Sequence, residues 1–203
     1  MPMPSPRTAA FAAAAIAVLG LGAIWLAGRP GGDGDPFAPC RASQVAGGNA
    51  AIGGPFELVD AQGRTVTEAD VITEPALIYF GYTFCPDVCP MDVARNADAV
   101  DILESRGQIV TPVFITVDPD RDTPAVVGEF AASLHERMIG LSGSPEQVQA
   151  AAQAYKAYAK AHKGQGEYYL VDHSTFSYLV LPDHGFVEFF RRDLAPEAMA
   201  DRI

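Results

Sequence analysis

Between residues 53 and 203 the apolar positions recur in two rhythms. Ala76–Gly81 (ALIYFG) and Val110–Val117 (VTPVFITV) are short, nearly continuous apolar runs, the pattern of strands covered on both faces. Pro112 disfavours the middle of a paired strand, so the start of the second run is the less defined. Phe56–Val59 and Arg64–Val66, separated by Asp60–Gly63, predict a small hairpin. Met138–Leu141 predicts a short strand, and Phe176–Leu181 with Phe186–Arg191 around Pro182–Gly185 predicts a second hairpin. Helical spacing fills the gaps. One helical stretch follows Cys85 and runs to Arg106. Thr123 and Pro124 supply an N-cap and a first-turn proline, with Val127, Phe130 and Leu134 on one face. Ser144-Pro-Glu-Gln147 reads as a capping box opening a helix on which Val148, Ala151, Tyr155 and Ala159 share a face, with Gly164 as its stop. Pro196 opens a last short helix.

The resulting order, βαβαβαββα, belongs to the α/β class: a mixed sheet flanked by helices on both faces. A hairpin that follows parallel βαβ units is the layout of a thioredoxin-like domain. These 151 residues suffice for one compact domain with a good core.

The first 52 residues follow a different pattern. Behind a short tail (residues 1–8), Ala9–Gly28 is a run of 20 residues without a charge or a strongly polar group. As a helix it spans about 30 Å at about 1.5 Å per residue, the thickness of a bilayer's hydrocarbon core. Trp25 stands near one end, where an indole suits the interface. A signal peptide's apolar region is shorter and ends in a small-residue cleavage site, and a core helix carries a polar stripe. The run is therefore read as a retained transmembrane anchor. Arg7 precedes it and Arg29 and Arg41 follow, so the distribution of positive charge does not set its orientation. Residues 29–52 form a Gly/Pro-rich tether to the domain at 53–203. Cys40, within the tether, has no cysteine near it in sequence and reads as a spare or intermolecular thiol.

Composition narrows the chemistry. With 14 Lys+Arg against 25 Asp+Glu the net charge is −11 over 203 residues. Binding a phosphate backbone needs clustered cations, so nucleic acid is not an expected partner. Three cysteines exclude a disulfide-dense miniprotein.

The candidate chemistry follows the first buried strand. Cys85 and Cys89 stand at i and i+4 in CPDVCP. If a helix starts near Pro86, both sulfurs lie on one face with Cβ atoms about 6 Å apart. The positive end of the helix then favours thiolates, so both cysteines are expected to ionise more readily than a free one. Such a pair either binds a soft metal or cycles to a disulfide. Three intervening residues depart from the C-x-x-C of dithiol oxidoreductases, and no second cysteine pair completes a zinc site. Cu(I) accepts two or three soft ligands, thiolate and imidazole among them.

Four histidines are candidates for a third ligand. His135 ends a helix, His162 falls in the last turn of another, and His184 sits in a hairpin turn. His173 precedes the strand Phe176–Leu181, and in a thioredoxin-like layout that loop lies beside the cysteine turn, which favours it. Asp172 is a candidate acceptor orienting the His173 ring, or a turn cap. Tyr82 and Phe84 either shield a metal or belong to the core. The acidic segment Asp118–Asp122 reads as a docking surface or as a strand-to-helix loop.

Three blocks, Tyr79–Pro90 (YFGYTFCPDVCP), Val117–Pro124 (VDPDRDTP) and Val171–Val180 (VDHSTFSYLV), resemble the Sco/SenC family of membrane-anchored copper chaperones for cytochrome c oxidase assembly. The resemblance runs from about Ile52 to the C-terminus. It implies a thioredoxin-like fold and one copper, Cu(I) or Cu(II), held by Cys85, Cys89 and His173. It also implies delivery to the dinuclear copper A centre of oxidase subunit II. A copper donor chaperone and a thioredoxin-like reductant, which keeps the Cys85–Cys89 pair from forming a disulfide, are expected partners. The N-terminus would be cytoplasmic and the domain periplasmic on a bacterial inner membrane, or in the intermembrane space of a mitochondrion. A thiol–disulfide reductase acting on partner cysteines is the alternative, needing Cys85 and Cys89 but not His173. A peroxidase or redox sensor of related fold is a third.

Overall fold

Two buried runs, as expected, form the centre of the sheet. The computed structural model describes residues 36–41, 52–164 and 168–203. The predicted anchor, Ala9–Gly28, and most of the tether lie outside the described residues. Among the described residues no helix is long and apolar enough to cross a membrane. Cys40 is an exposed free thiol at the end of a short 3₁₀ turn, Ala38–Cys40.

In chain order the elements are β1 (Glu57–Asp60), β2 (Thr65–Thr67), α1 (Glu68–Val71), β3 (Ala76–Gly81), α2 (Val88–Ser105), β4 (Thr111–Thr116) and α3 (Pro124–Leu134). They continue with β5 (Ile139–Ser142), α4 (Pro145–Ala154), β6 (Ala159–Ala161), β7 (Val171–His173), β8 (Ser177–Leu181), β9 (Gly185–Phe190) and α5 (Pro196–Ala200). Seven strands make one sheet in the order β2-β1-β5-β4-β3-β8-β9. β3, β4 and β5 run parallel, and the outer pairings are antiparallel. Pro112 lies inside β4 after all. Thr111 N–H donates to the Pro75 carbonyl on the β3 side, so the missing Pro112 donor faces β5, whose pairing starts only at Val113.

Alternation along the buried strands splits the core in two. Ile78, Phe80, Val113, Ile115, Tyr178 and Val180 pack with Val148 and Ala151 of α4 and with Tyr155 at its C-terminal cap. Tyr79 and Phe114 face the opposite side, with Val93 and Ala97 of α2 and Val127 and Ala131 of α3. The caps expected at Thr123 and Ser144 are both present: each side-chain oxygen accepts an N–H from the first helical turn.

The fold differs from the sequence reading in three places: a short α1 (Glu68–Val71) follows β2, the stretch before β8 that carries His173 is a strand, β7, and not a loop, and α4 is shorter than its apolar spacing suggests. α4 ends at Ala154, not near Gly164, and residues 159–161 form β6, paired antiparallel with β7. The helix stops in a Schellman motif: Ala157 N–H donates to the Ala152 carbonyl at 2.8 Å and Lys156 N–H to that of Gln153 at 3.1 Å. The left-handed position that this stop requires is filled by Lys156, at φ 54°, instead of a glycine. A stop without glycine carries no sequence signal, so the apolar spacing appeared to run on. His162 consequently follows a strand and is not in a helix.

Candidate metal centre

The site lies where the parallel strands β3 and β4 end, on the α2–α3 side of the sheet. The chain turns out of β3 through Tyr82–Asp87 and enters α2 at Val88, two residues later than expected, so Cys85 precedes the helix and Cys89 lies in its first turn. The Cys85 sulfur accepts the Cys89 N–H at 3.3 Å, acting as a cap for one of the free first-turn donors. Gly81 closes the approach from β3: a Cβ there would stand 3.1 Å from the Cys89 sulfur and 2.9 Å from ring carbons of Tyr79 and Phe114.

The loop is tethered by a carboxylate. Asp122 is fully buried, and it accepts Thr83 N–H at 2.9 Å, the Thr83 hydroxyl at 2.5 Å and the Thr116 hydroxyl at 2.7 Å. It thereby fixes the cysteine turn to the end of β4. Asp118 is also buried, receiving the Tyr169 hydroxyl at 2.6 Å and Arg121 Nε at 2.5 Å. Within the Asp118–Asp122 segment these two acids are therefore loop scaffold, and Asp120 alone of the three pairs outward, with Lys163.

His173 arrives from the other direction, on β7. The β6–β7 ladder pairs it with Ala159, and Ser174 N–H donates to the Tyr158 carbonyl at 2.9 Å just beyond. Its Nε2 stands 3.2 Å from the Cys89 sulfur, and the two sulfurs and the imidazole offer ligand atoms all within 4.8 Å of one another. The rings of Tyr79 and Tyr82 meet the imidazole edge-on, at 6.1 and 5.7 Å between centroids. Tyr82 is thus packed in the site, while Phe84 is exposed beside Arg121.

Two expectations are corrected here. The His173 Nδ1 lies 2.8 Å from the Ser174 carbonyl, and the Asp172 carboxylate instead meets His162 Nε2 at 2.6 Å. Successive strand residues point to opposite faces, so Asp172 cannot turn toward its neighbour's ring. The thiols are also unequal. Burial works against the Cys85 thiolate, yet N–H donors from Cys89 and Asp87 and contacts from the Cys89 and Tyr82 side chains bring its pKa below the ordinary thiol value. Burial pushes the Cys89 thiol well up, against an N–H from Tyr82, and the charges of Cys85 and Asp92 add to that. The helix end therefore favours one thiolate, not two. His173 is held toward its neutral form by burial, against the pull of the Ser174 and Phe80 carbonyls.

Of the other histidines, His135 caps α3 and is nearly buried against Asp101, at 3.2 Å. Asp101, Glu104 and His135 cluster, but the Arg137 guanidinium occupies Glu104 at 3.2 Å and the Arg137 N–H occupies the His135 Nδ1. Asp92 is a buried group beside the site with no role in the sequence reading, while Asp122 and Tyr79 fall in segments singled out there without a role of their own. The one signal for Asp92 was a carboxylate on the apolar face of α2, a turn past Cys89.

A model of the family described as SCO1/SenC matches residues 44–203. The chain belongs to the SCO1/SenC family. Protein SenC of Rhodobacter capsulatus is 49% identical over 199 residues, 98% of this chain and 90% of that protein. Among solved structures, Arabidopsis thaliana ScoI with copper bound is 41% identical, with a TM-score of 0.71 over 74% of this chain and 94% of that one. Yeast Sco1 with copper bound is 36% identical, with a TM-score of 0.69 over 75% and 86%. The SCO1/SenC fold is accordingly the thioredoxin-like α/β sandwich described above, with helices on both faces of a mixed sheet.

Proposed function

We propose that this SCO1/SenC protein is a membrane-anchored copper chaperone for cytochrome c oxidase assembly, with copper as cargo held by Cys85, Cys89 and His173. The observation that carries the reading is the convergence of two sulfurs and one imidazole within 4.8 Å. The donor set suits Cu(I), which takes few, soft ligands, and the imidazole also accommodates Cu(II). The copper-bound relatives from Arabidopsis and yeast support it. Cys89 forms the floor of the site, fully buried, while Cys85 and the half-buried His173 lie nearer its rim. An acceptor's ligands would approach from that rim and displace the protein's donors one at a time, with no covalent change in the protein. The acceptor we assign is the copper A centre of oxidase subunit II, with Ala9–Gly28 holding the domain at the inner membrane on its periplasmic or intermembrane-space side. A donor chaperone would load the site, and a thioredoxin-like reductant would keep the sulfurs unjoined, because a disulfide and a dithiolate metal site exclude each other.

The test is copper titration of the reduced full-length chain in detergent against a competing chelator. One copper per chain is expected, lost in Cys85→Ser and Cys89→Ser. Replacing His173 by Ala should weaken Cu(II) far more than Cu(I). Copper retained by the double cysteine variant would refute the reading.

The inequality of the two thiols favours a second reading, disulfide exchange with partner cysteines, in which Cys85 attacks and Cys89 resolves. The two readings part at His173→Ala: oxidase assembly that survives in that strain favours the reductase.

A further inference from the structure

Beside the three donors stands a charged group that neither joins them nor fastens the cysteine turn. Asp92 lies on α2 three residues beyond Cys89, a spacing that puts side chains on one helix face with Cβ atoms about 5–6 Å apart. It is 3% exposed. The Tyr79 hydroxyl of β3 donates to its Oδ2 at 2.9 Å, and Arg192 Nε, beyond β9, lies 3.7 Å from Oδ1. Arg95, one turn on, is buried as well; its guanidinium donates to the Arg191 carbonyl, Asn96 and Ser177, and its charge still interacts with that of Asp92. The Tyr79 ring meets the His173 ring edge-on. A buried carboxylate is thus set close to one proposed ligand and, through a single aromatic ring, against another. Burying a carboxylate costs stability unless the charge is used or paired, and the pairing here is partial.

We propose that Asp92 sets the oxidation-state preference of the copper site, favouring bound Cu(II) over bound Cu(I), and that the Tyr79 hydroxyl tempers its charge. This rests on the copper reading above. With the same ligands, bound Cu(II) carries one more positive charge than bound Cu(I), so a fixed negative charge nearby stabilises Cu(II) more. The step is addition of one electron to Cu(II), supplied by an external reductant, and no bond to Asp92 forms or breaks. The same charge acts on the Cys89 thiol and on His173. A unit charge one helical turn away, inside the protein, shifts such an equilibrium by about tenfold or more. Tenfold corresponds to about 59 mV for one electron. By donating a hydrogen bond, Tyr79 draws part of that charge away from the metal.

The experiment is a redox titration of the copper-loaded full-length chain in detergent, followed by the thiolate-to-Cu(II) absorbance. Asp92→Asn should raise the potential by about tenfold in the equilibrium constant, about 59 mV. Tyr79→Phe keeps the ring against His173 but removes the donor, and should lower the potential by a smaller amount. A wild-type chain that takes up no copper overturns the copper reading and this inference with it. Wild type that loads normally, with both variants within roughly a factor of two of it, overturns this inference alone. Shifts of the two variants in the same direction overturn it too, because loosening of the site has no reason to change sign. Should Asp92→Asn fail to fold, the sign of the Tyr79→Phe shift decides.

Discussion

On the α4 side of the sheet, Ile78, Phe80, Val113, Ile115, Tyr178 and Val180 pack against Val148, Ala151 and Tyr155. On the α2–α3 side, Tyr79 and Phe114 share the interior with Asp92, Arg95, Asn96, Thr116, Asp122 and Ser177, all buried. The same strands supply both faces, one residue apart. The first face is a hydrophobic core whose content is volume, and any apolar side chain of the right size serves it. The second keeps polar groups at a cost in stability, because two of its ends must hold a cysteine turn and an imidazole at fixed positions. Stability and site geometry can therefore be changed separately, one on each face.

The sharpest test of that separation is Phe80→Ala. Removing a ring from the α4 side should cost about 3–5 kcal/mol in chemical denaturation, with copper bound per folded molecule unchanged. A loss of copper affinity in the folded fraction would show that the faces are coupled. On the other face Asp122→Ala strands the Thr83 and Thr116 donors. It should cost about 2–3 kcal/mol and, unlike Phe80→Ala, also weaken copper binding in the chain that remains folded, as read by chelator competition. Gly81→Ala forces a Cβ toward the Cys89 sulfur and two rings, for about 1–3 kcal/mol, and should weaken copper binding through crowding.

Smaller effects probe the two sulfurs. The thiolate is the reactive form, and the Cys85 pKa lies below the ordinary value while that of Cys89 lies above it. As pH rises, Cys85 in the reduced apo chain should therefore reach its full alkylation rate at lower pH than cysteines of the unfolded chain. Cys89 should stay unmodified over that range. Peptide mapping after iodoacetamide treatment reads both, and equal labelling would erase the asymmetry. The smallest effect expected is that of Asp172→Asn, whose carboxylate meets His162 at the surface. Stability should change by no more than about 0.5 kcal/mol, and copper affinity should stay within roughly twofold, since the His173 ring is held by the Ser174 carbonyl. A tenfold loss would restore Asp172 to the site.

The strands β3 and β4 were legible because burial on both faces leaves an unbroken apolar run, and α3 and the start of α4 because Thr123 and Ser144 announce themselves as caps. The end of α4 was not, since its left-handed residue is Lys156 and the hydrogen bonds that close it depend on geometry, not on residue type. Asp92 and Asp122 read as ordinary acids in the chain, and their burial exists only once β3, β4 and α2 are packed.

Local patterns in the chain sufficed for the central strands, the helices between them, the pair of cysteines after the first buried strand, and the family to which the chain belongs, but not for α1, β6 and β7. The layout favoured His173 among the four histidines, but which sulfur it meets, which sulfur is the more acidic, and which carbonyl or carboxylate faces its ring needed the packed structure. Each depends on distance, burial and the direction of a side chain, and those are fixed only when segments far apart in the chain meet at the end of the sheet.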